Sequence, residues 1–373
     1  MNPFPPKILL APNAFKGSLS AFEACHILSI SLKRNGIETI SLPMGDGGDG
    51  TAAVLAYYYK ARPIETVTCD ALGRARKAIY YVDGDTAIIE LAESCGIKHL
   101  KREEYDILNT NTAGFGIMIR NAIECGFKKL ILCIGGSASV DGGMGALREI
   151  GLSIEKKSDT YRNDIIDMKD IHTDYIQNRF KDIECTVLCD VDNPITGEQG
   201  AAFMFGPQKG ASSEQVILLN QKLHNLTCLL ESKTRKSLHT LKHGGAAGGI
   251  ALSFCSLLNA KLVSGSTFCI ELARLRDYLS SVQAVITGEG KIDVQSLHGK
   301  IPGSISDLCR ENHKTVYAIA GMTDHRLLSS FDQVFTLLSH ASSVEDSIIN
   351  AKEYLKIIAQ EISDVFYASI YPM

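Results

Sequence analysis

Nothing in the sequence approaches the ~20 consecutive apolar residues of a membrane span, which excludes a helical anchor. A basic excess is missing too. Lysine and arginine total 38 against 42 aspartates and glutamates, a formal net charge of −4, so no whole-molecule field draws the chain to nucleic acid or to an anionic membrane. Neither is expected as a partner, and any anionic ligand must be held by a local site. The 11 cysteines include no C-x-x-C pair, so no zinc pattern emerges. Several lie in apolar runs, as Cys133 does within residues 130–134, and read as core thiols of a reduced, cytoplasmic protein. Residues 1–7 carry two adjacent prolines and no basic stretch, and the apolar run after them is too short for a signal peptide. Also lacking are a G-x-S-x-G elbow, an internal repeat, and a Walker A motif, since Gly299-Lys300 is followed by isoleucine.

What is present is enough apolar sequence, 45% of 373 residues, to fill more than one core, and the length favours two domains. Residues 7–11 form an apolar strand. Ser20-x-x-Glu23 is a capping box opening a helix, residues 39–43 read as a second strand, and a glycine-rich turn leads to a helix from Thr51. From Thr66 the pattern changes to strand and turn, with antiparallel hairpins over residues 66–91. Residues 155–184 are polar and weakly patterned, and read as a surface excursion. After a helix over 266–279, strand and helix alternate again, with strands at 284–287, 315–320 and 334–338 and a last helix after Ser342-x-x-Glu345. Five parallel strands thus come from both chain ends. The expected division is residues 1–65 plus 275–373 as one α/β domain, with residues 66–274 inserted as a second, mixed α/β domain.

In doubly wound sheets, ligands bind where the winding reverses, at the carboxyl ends of strands. Three loops qualify: residues 13–18, 45–50 and 288–293. They hold Lys16, Ser18, Asp46, Asp49, Glu289, Lys291 and Asp293. So many carboxylates in one crevice need cations, which magnesium on a nucleotide phosphate would supply. Solvated turns are the plainer reading of any one loop; three together argue against it. Gly45-Asp46-Gly47-Gly48-Asp49-Gly50 matches G-x-G-x-x-G, yet its two aspartates would put negative charge where a pyrophosphate must sit.

Elsewhere, Gly135-Gly136-Ser137-Ala138-Ser139 leaves a strand and is suited to surround a phosphate or carboxylate. Asp190 and Asp192, with Asn193-Pro194, tip another strand, and Gly206-Pro207-Gln208-Lys209-Gly210 follows as a further polar wall. Gly245 and Gly248 lie in a glycine-rich run entering an apolar helix, where approach to phosphate and close packing are equally plausible. His298 stands beside a candidate loop and takes no catalytic role.

Read in order, Ala11 through Ser20, Pro43 through Thr51, residues 134–145, Asp190 through Pro194, residues 205–210 and Gly288 through Lys300 resemble the bacterial type I glycerate kinase family. The resemblance spans most of the chain. It implies a flavodoxin-like doubly wound parallel-sheet domain built from both chain ends, an inserted α/β domain, and an active site in the cleft between them. It also implies ATP with Mg2+ and D-glycerate as acceptor, with 2-phosphoglycerate favoured over 3-phosphoglycerate.

On that basis Lys16 neutralises the transferring phosphoryl group or the glycerate carboxylate. Asp46 accepts the hydroxyl proton, joined by Asp192 as a catalytic group. Asp190, Asp192, Glu289 and Asp293 hold magnesium, while Ser18, Gly47, Gly48, Gly135, Gly136, Ser137, Asn193, Gly245 and Gly248 bind substrate or phosphate. Three positions depart from the family: Asn13 in place of aspartate, Val140 in place of asparagine, and Lys242-His243 in place of Pro-Gly. A nucleotide-dependent dehydrogenase and a non-catalytic sugar-acid or nucleotide-binding sensor remain as rivals, and a homo-oligomer stays open.

Overall fold

The computed structural model describes residues 5–293, 299–323 and 329–371, so His298 lies outside the described residues. It is an α/β structure with parallel sheets. Two compact units form, Met1–Asp46 with Gly265–Met373 and Gly47–Ser264.

The first unit carries a five-stranded parallel sheet in the order Gln333–Thr336, Thr315–Thr323, Ala284–Ile292, Lys7–Pro12, Glu38–Ser41. After Lys7, strand Lys7–Pro12 is apolar and buried through Pro12, the usual condition of a central parallel strand. It pairs on one side with Ala284–Ile292, Leu9 opposite Val285, and on the other with Glu38–Ser41, Leu9 opposite Ile40. The winding reverses at Lys7–Pro12 and Ala284–Ile292, so the loops after these strands diverge.

Helix Ala21–Arg34 starts on the expected capping box, with the Glu23 N–H donating to Ser20 Oγ (3.2 Å) and the Ser20 N–H to the Glu23 carboxylate (3.0 Å). It buries Ala24, Leu28 and Leu32 against the sheet and against Ala351–Ile370, whose Leu355, Ile358, Ile362 and Phe366 are fully buried. Each such side chain stabilises the unit by about 1.5–3 kcal/mol relative to exposure.

The second unit has a six-stranded mixed sheet in the order Lys261–Val263, Glu184–Leu188, Lys129–Cys133, Thr86–Glu90, Ala75–Asp83, Arg62–Cys69. The first four strands are parallel, and the last two are antiparallel to their neighbours. The hairpin expectation therefore holds up to Thr86–Glu90, which turns out to pair in parallel with Lys129–Cys133 on its other side. Cys133 is buried as expected, and burial pushes the thiols of Cys95 and Cys185 up to about 12.

Four expectations need correction. The unit boundaries fall after Asp46 and Ser264, not after residues 65 and 274. Helix Thr51–Tyr59 packs on Ala75–Asp83 and Thr86–Glu90, so it belongs to the second unit, whereas Gly265–Leu272 packs on Ile301–Glu311 in the first.

Residues 155–184 are no surface excursion. A hairpin of Ser153–Lys156 and Met168–His172 is followed by buried Ile176 and Phe180, and the buried Asp164 is held by Arg148 (2.8 Å) and Lys156 (3.2 Å). Paired charge made this segment look polar.

The helix expected over 266–279 breaks at Arg274, whose φ is 51°, into Gly265–Leu272 and Leu275–Leu279. The last cap lies one residue later than expected: the Asp346 N–H donates to Ser343 Oγ (3.1 Å) ahead of Val344–Ile349, and Ala351–Ile370 follows.

Candidate active site

In the first unit the chain leaves Lys7–Pro12 through a tight turn. The Asn13 N–H donates to Gly288 O (2.8 Å), the Phe15 N–H to Leu19 O (2.8 Å) and the Leu19 N–H back to Phe15 O (3.0 Å). Phe15 and Leu19 are buried beneath it, so Lys16 stands exposed at the apex on a rigid base. The Ser18 hydroxyl oxygen is buried and has no hydrogen-bond partner among the described residues.

Asn13 is buried. Its Oδ1 accepts the Ala14 N–H at 2.8 Å, a bond an aspartate also makes. Asp46 is 9% exposed, just past Gly45, whose N–H meets Cys269 Sγ at 3.3 Å. The expected loop 288–293 is instead a continuation of strand Ala284–Ile292, paired with Thr315–Thr323 out to Ile292 opposite Thr323. Gly290 lies so close to the turn that a Cβ there would stand 3.1 Å from Lys16 N. Buried Glu289 thus sits on a strand beside the Lys16 turn, and Asp293 pairs with Lys291 at 3.2 Å.

In the second unit, Gly47 and Gly48 lie over the carboxyl ends of two parallel strands. Gly135 N–H donates to Gly47 O (2.9 Å), a Cβ on Gly135 would stand 2.5 Å from Gly48 Cα, and one on Gly47 would stand 2.6 Å from Leu188 O. Only glycine permits that approach. The Gly47 N–H goes to Thr51 Oγ1 (3.1 Å) and the Gly245 N–H to Asn193 O (3.0 Å), so the N–H groups of Gly47, Gly135 and Gly245 serve the fold. Gly248 likewise packs backbone on backbone, since a Cβ there would meet Val140 Cα at 2.7 Å.

The N-terminus of Thr51–Tyr59 is occupied by the protein itself. Buried Glu90 accepts the Gly50 N–H on one oxygen and the Ala52 N–H on the other, both at 2.9 Å. Burial pushes its carboxyl up to about 8, against those two donors and the Lys98 charge, with Asp49 adding to the rise. Lys98 in turn bridges Asp49 (2.6 Å) and Glu93 (2.8 Å). Burial opposes its charge, but the two carboxylates hold the ammonium above its usual range.

A second cation is buried in the Gly135–Ser139 segment. Lys209 Nζ donates to Ser137 Oγ (2.8 Å) and Ser139 O (2.7 Å), and desolvation lowers the ammonium to about 7 although Asp141 favours its charge. Asp141 organises this loop, accepting from Thr112 Oγ1 (2.7 Å), Ser139 Oγ (3.0 Å) and the Gly145 N–H (3.2 Å). At the tip of Glu184–Leu188, Asp190 accepts from Ser264 Oγ (2.8 Å), and Asn193 donates to Gln199 O (2.9 Å). Asp192, 78% exposed, meets His243 Nδ1 at 3.1 Å.

The expected site residues therefore divide. Lys16, Ser18, Asp46, Glu289 and Asp293 lie in the first unit, and Gly47, Gly48, Gly135, Gly136, Ser137, Asp190, Asp192, Asn193, Gly245 and Gly248 in the second. Sequence reasoning missed Glu90, whose signal was a carboxylate ending an apolar strand, and passed over Lys209 as one residue of a polar wall. It also left His243 as a departure, with no sign of its reach to Asp192.

The glycerate kinase family model matches residues 8–367. The glycerate kinase of Bacillus subtilis is 32% identical, covering 96% of this chain and 97% of the relative. The glycerate 2-kinase of Escherichia coli K12 is also 32% identical, covering 92% and 94%. In structure, the chain superposes on a crystal structure of a protein provisionally named glycerate kinase 2 from Salmonella typhimurium LT2. The TM-score is 0.78 and the identity 30%, over 98% of this chain and 99% of that one. These matches make the protein a kinase, and the chain belongs to the glycerate kinase family.

Proposed function

We propose that the chain transfers the γ-phosphoryl group of ATP, with Mg2+, to a hydroxyl of D-glycerate, O2 in preference to O3. The observation that carries the reading is the buried Lys209 against Ser137, a cation inside a glycine-rich turn of the second unit. Family membership supports the acceptor, and the printed name of the Escherichia coli relative supports position 2. The strand order of the first unit, two-one-three-four-five when its strands are counted along the chain, supports a flavodoxin-like, doubly wound reading.

The donor set fits the implied cofactors: carboxylate oxygens suit Mg2+, and lysines suit phosphate. When bound, Mg2+ on ATP supplies charge neutralisation at the transferring phosphoryl group. In this reading Asp190, Asp192, Glu289 and Asp293 hold the ion, while Lys209, Gly136 and Ser137 receive anionic oxygens. Lys16 meets the phosphoryl group or the glycerate carboxylate, Ser18 supplies a hydroxyl, and Asp46 takes the acceptor proton. A dehydrogenase reading is disfavoured, because Glu90 fills the helix N-terminus where a pyrophosphate would sit. The free cysteines, several of them core thiols, suit a reducing cytoplasm.

Phosphorus NMR of the product formed from ATP, Mg2+ and D-glycerate tests this. A phosphomonoester split as a doublet by the single C2 proton supports O2, whereas a triplet from the C3 methylene moves the assignment to O3. Absence of any glycerate-dependent phosphomonoester sinks the reading.

A further inference from the structure

In the second unit, helix Ser213–Thr234 buries Leu219, Leu223, Leu226 and Leu230 and turns His224 and Cys228 to solvent, four residues apart on one face. The helix ends at Arg235 in a left-handed conformation (φ 57°), and the chain folds back on it. Buried Leu238 anchors the returning segment, and Lys236 Nζ ties it to the carbonyls of Cys255 (3.1 Å) and Ser256 (3.0 Å). His239 is thereby brought beside Cys228, eleven residues earlier in sequence.

The three side chains converge through the atoms that bind metals. Cys228 Sγ lies 3.7 Å from His224 Nε2 and 4.0 Å from His239 Nε2, and the ligand atoms of all three lie within 4.8 Å of one another. A sulfur and a nitrogen sharing one tetrahedral zinc ion stand about 3.6 Å apart, from Zn–S of ~2.3 Å and Zn–N of ~2.0–2.1 Å, so each sulfur–nitrogen separation needs to close by only a few tenths of an ångström. A thiol has one proton and satisfies at most one of two imidazoles. One metal ion satisfies all three.

Orientation is built in behind the ligands. Glu231 Oε1 accepts His239 Nδ1 at 3.0 Å and also the main-chain N–H groups of Leu238 (2.6 Å) and His239 (3.2 Å). With the proton held on Nδ1, Nε2 presents its lone pair toward Cys228, the carboxylate–histidine arrangement that orients metal-bound imidazoles.

We propose that His224, Cys228 and His239 form a binding site for a borderline-to-soft divalent cation, Zn2+ or a chemical equivalent, with water completing the coordination and Glu231 as the positioning residue. The donors, two imidazoles and a thiolate, disfavour Mg2+, so the site is distinct from any magnesium held by carboxylates. The bound ion staples the returning segment to the helix. A search for paired cysteines misses it because only one of its ligands is a cysteine.

The test is titration of the reduced, chelator-treated full chain with Co2+, read by the near-ultraviolet thiolate-to-cobalt absorption, followed by displacement with Zn2+. The expected result is one ion per chain, with the band lost in Cys228→Ser and kept in Cys125→Ser, a control at the other exposed cysteine. Glu231→Gln should weaken binding by about tenfold or more, and Zn2+ should raise the melting midpoint of the parent chain but not of Cys228→Ser. Metal-free melts of each variant show whether folding is intact. No cobalt–thiolate band in the parent, or an undiminished band in a folded Cys228→Ser, overturns the proposal.

Discussion

Lys209 Nζ lies 2.8 Å from Ser137 Oγ inside a buried turn, and the same burial lowers its ammonium from 10.5 to about 7. As an anion receptor it acts only when protonated, so kcat/KM is expected to fall as pH rises through about 7, and Lys209→Met should lose both that limb and at least about tenfold in rate below it. Stability moves the other way. Between pH 7 and 10.5 the unfolded chain binds more protons at this lysine, so its contribution rises with pH, and the methionine variant should be no less stable than the parent at pH 7. A pH–rate profile beside thermal melts checks both; a variant with the parent's alkaline limb removes Lys209 from the reaction.

Glu90 caps Thr51–Tyr59 from the end of strand Thr86–Glu90, so Glu90→Ala leaves the N–H groups of Gly50 and Ala52 without their acceptor. A cost of about 2 kcal/mol is expected. The pH dependence has a definite sign. A carboxyl raised from 4.5 to about 8 stabilises most below the lower value, and that contribution is lost as pH rises through the upper one. Denaturant unfolding of the parent and Glu90→Gln at pH 5 and pH 8.5 should therefore show the glutamine variant gaining relative stability at the higher pH. An unchanged difference would mean that Glu90 is ionised throughout.

Much of this was legible in the sequence because it is local. The apolar run of Lys7–Pro12 marks a central strand, and Ser20 with Glu23 marks a helix start, since both ends of each signal lie within a few residues. What stayed hidden depends on partners far along the chain. Glu90 reaches Gly50, forty residues earlier, and Lys209 reaches Ser137, seventy-two earlier. Asp164 lies in the polar stretch that reads as a surface excursion, although Arg148 and Lys156 pair with it. The unit boundary was misplaced for a related reason, since the packing of Thr51–Tyr59 on the second sheet leaves no mark in the helix's own pattern.

Glu289 and Asp192 differ in exposure, the first buried on a strand and the second 78% exposed beside His243. If both hold magnesium, Glu289→Gln should raise the half-saturating Mg2+ concentration and lower turnover by about tenfold or more, while Asp192→Asn, whose carboxylate water already solvates, has the smaller effect. Turnover measured across a magnesium series decides it. Parent-like magnesium dependence in both variants takes them out of the metal site.

Asn13→Asp introduces the aspartate that the sequence resemblance leads one to expect and keeps an acceptor for the Ala14 N–H. It adds a negative charge at a buried position, so the magnesium or glycerate concentration at half-maximal rate is expected to shift. A lower melting midpoint with unchanged kinetic constants would show that the added charge is felt by the fold alone.

Lys16 stands at the apex of a turn whose base is fixed by buried Phe15 and Leu19 and by main-chain bonds in both directions. Its backbone abuts Gly290, next to Glu289, at the reversal point of the sheet. Because the base does not depend on the lysine side chain, removing it should hardly touch the fold. A solvated turn lysine contributes within about 0.5 kcal/mol, and Lys16→Met is expected to melt near the parent. Its kinetic effect should be large, since a cation that meets charge on the phosphoryl group or the glycerate carboxylate is worth roughly a hundredfold in kcat/KM when lost. The split between kcat and KM then separates the two partners. A fall confined to kcat assigns Lys16 to charge that develops during transfer, whereas a rise in the glycerate KM alone assigns it to the carboxylate. If Lys16→Met keeps near-normal kcat/KM, the first turn does not serve the reaction, and the assignment of Ser18 and Glu289 beside it falls with it.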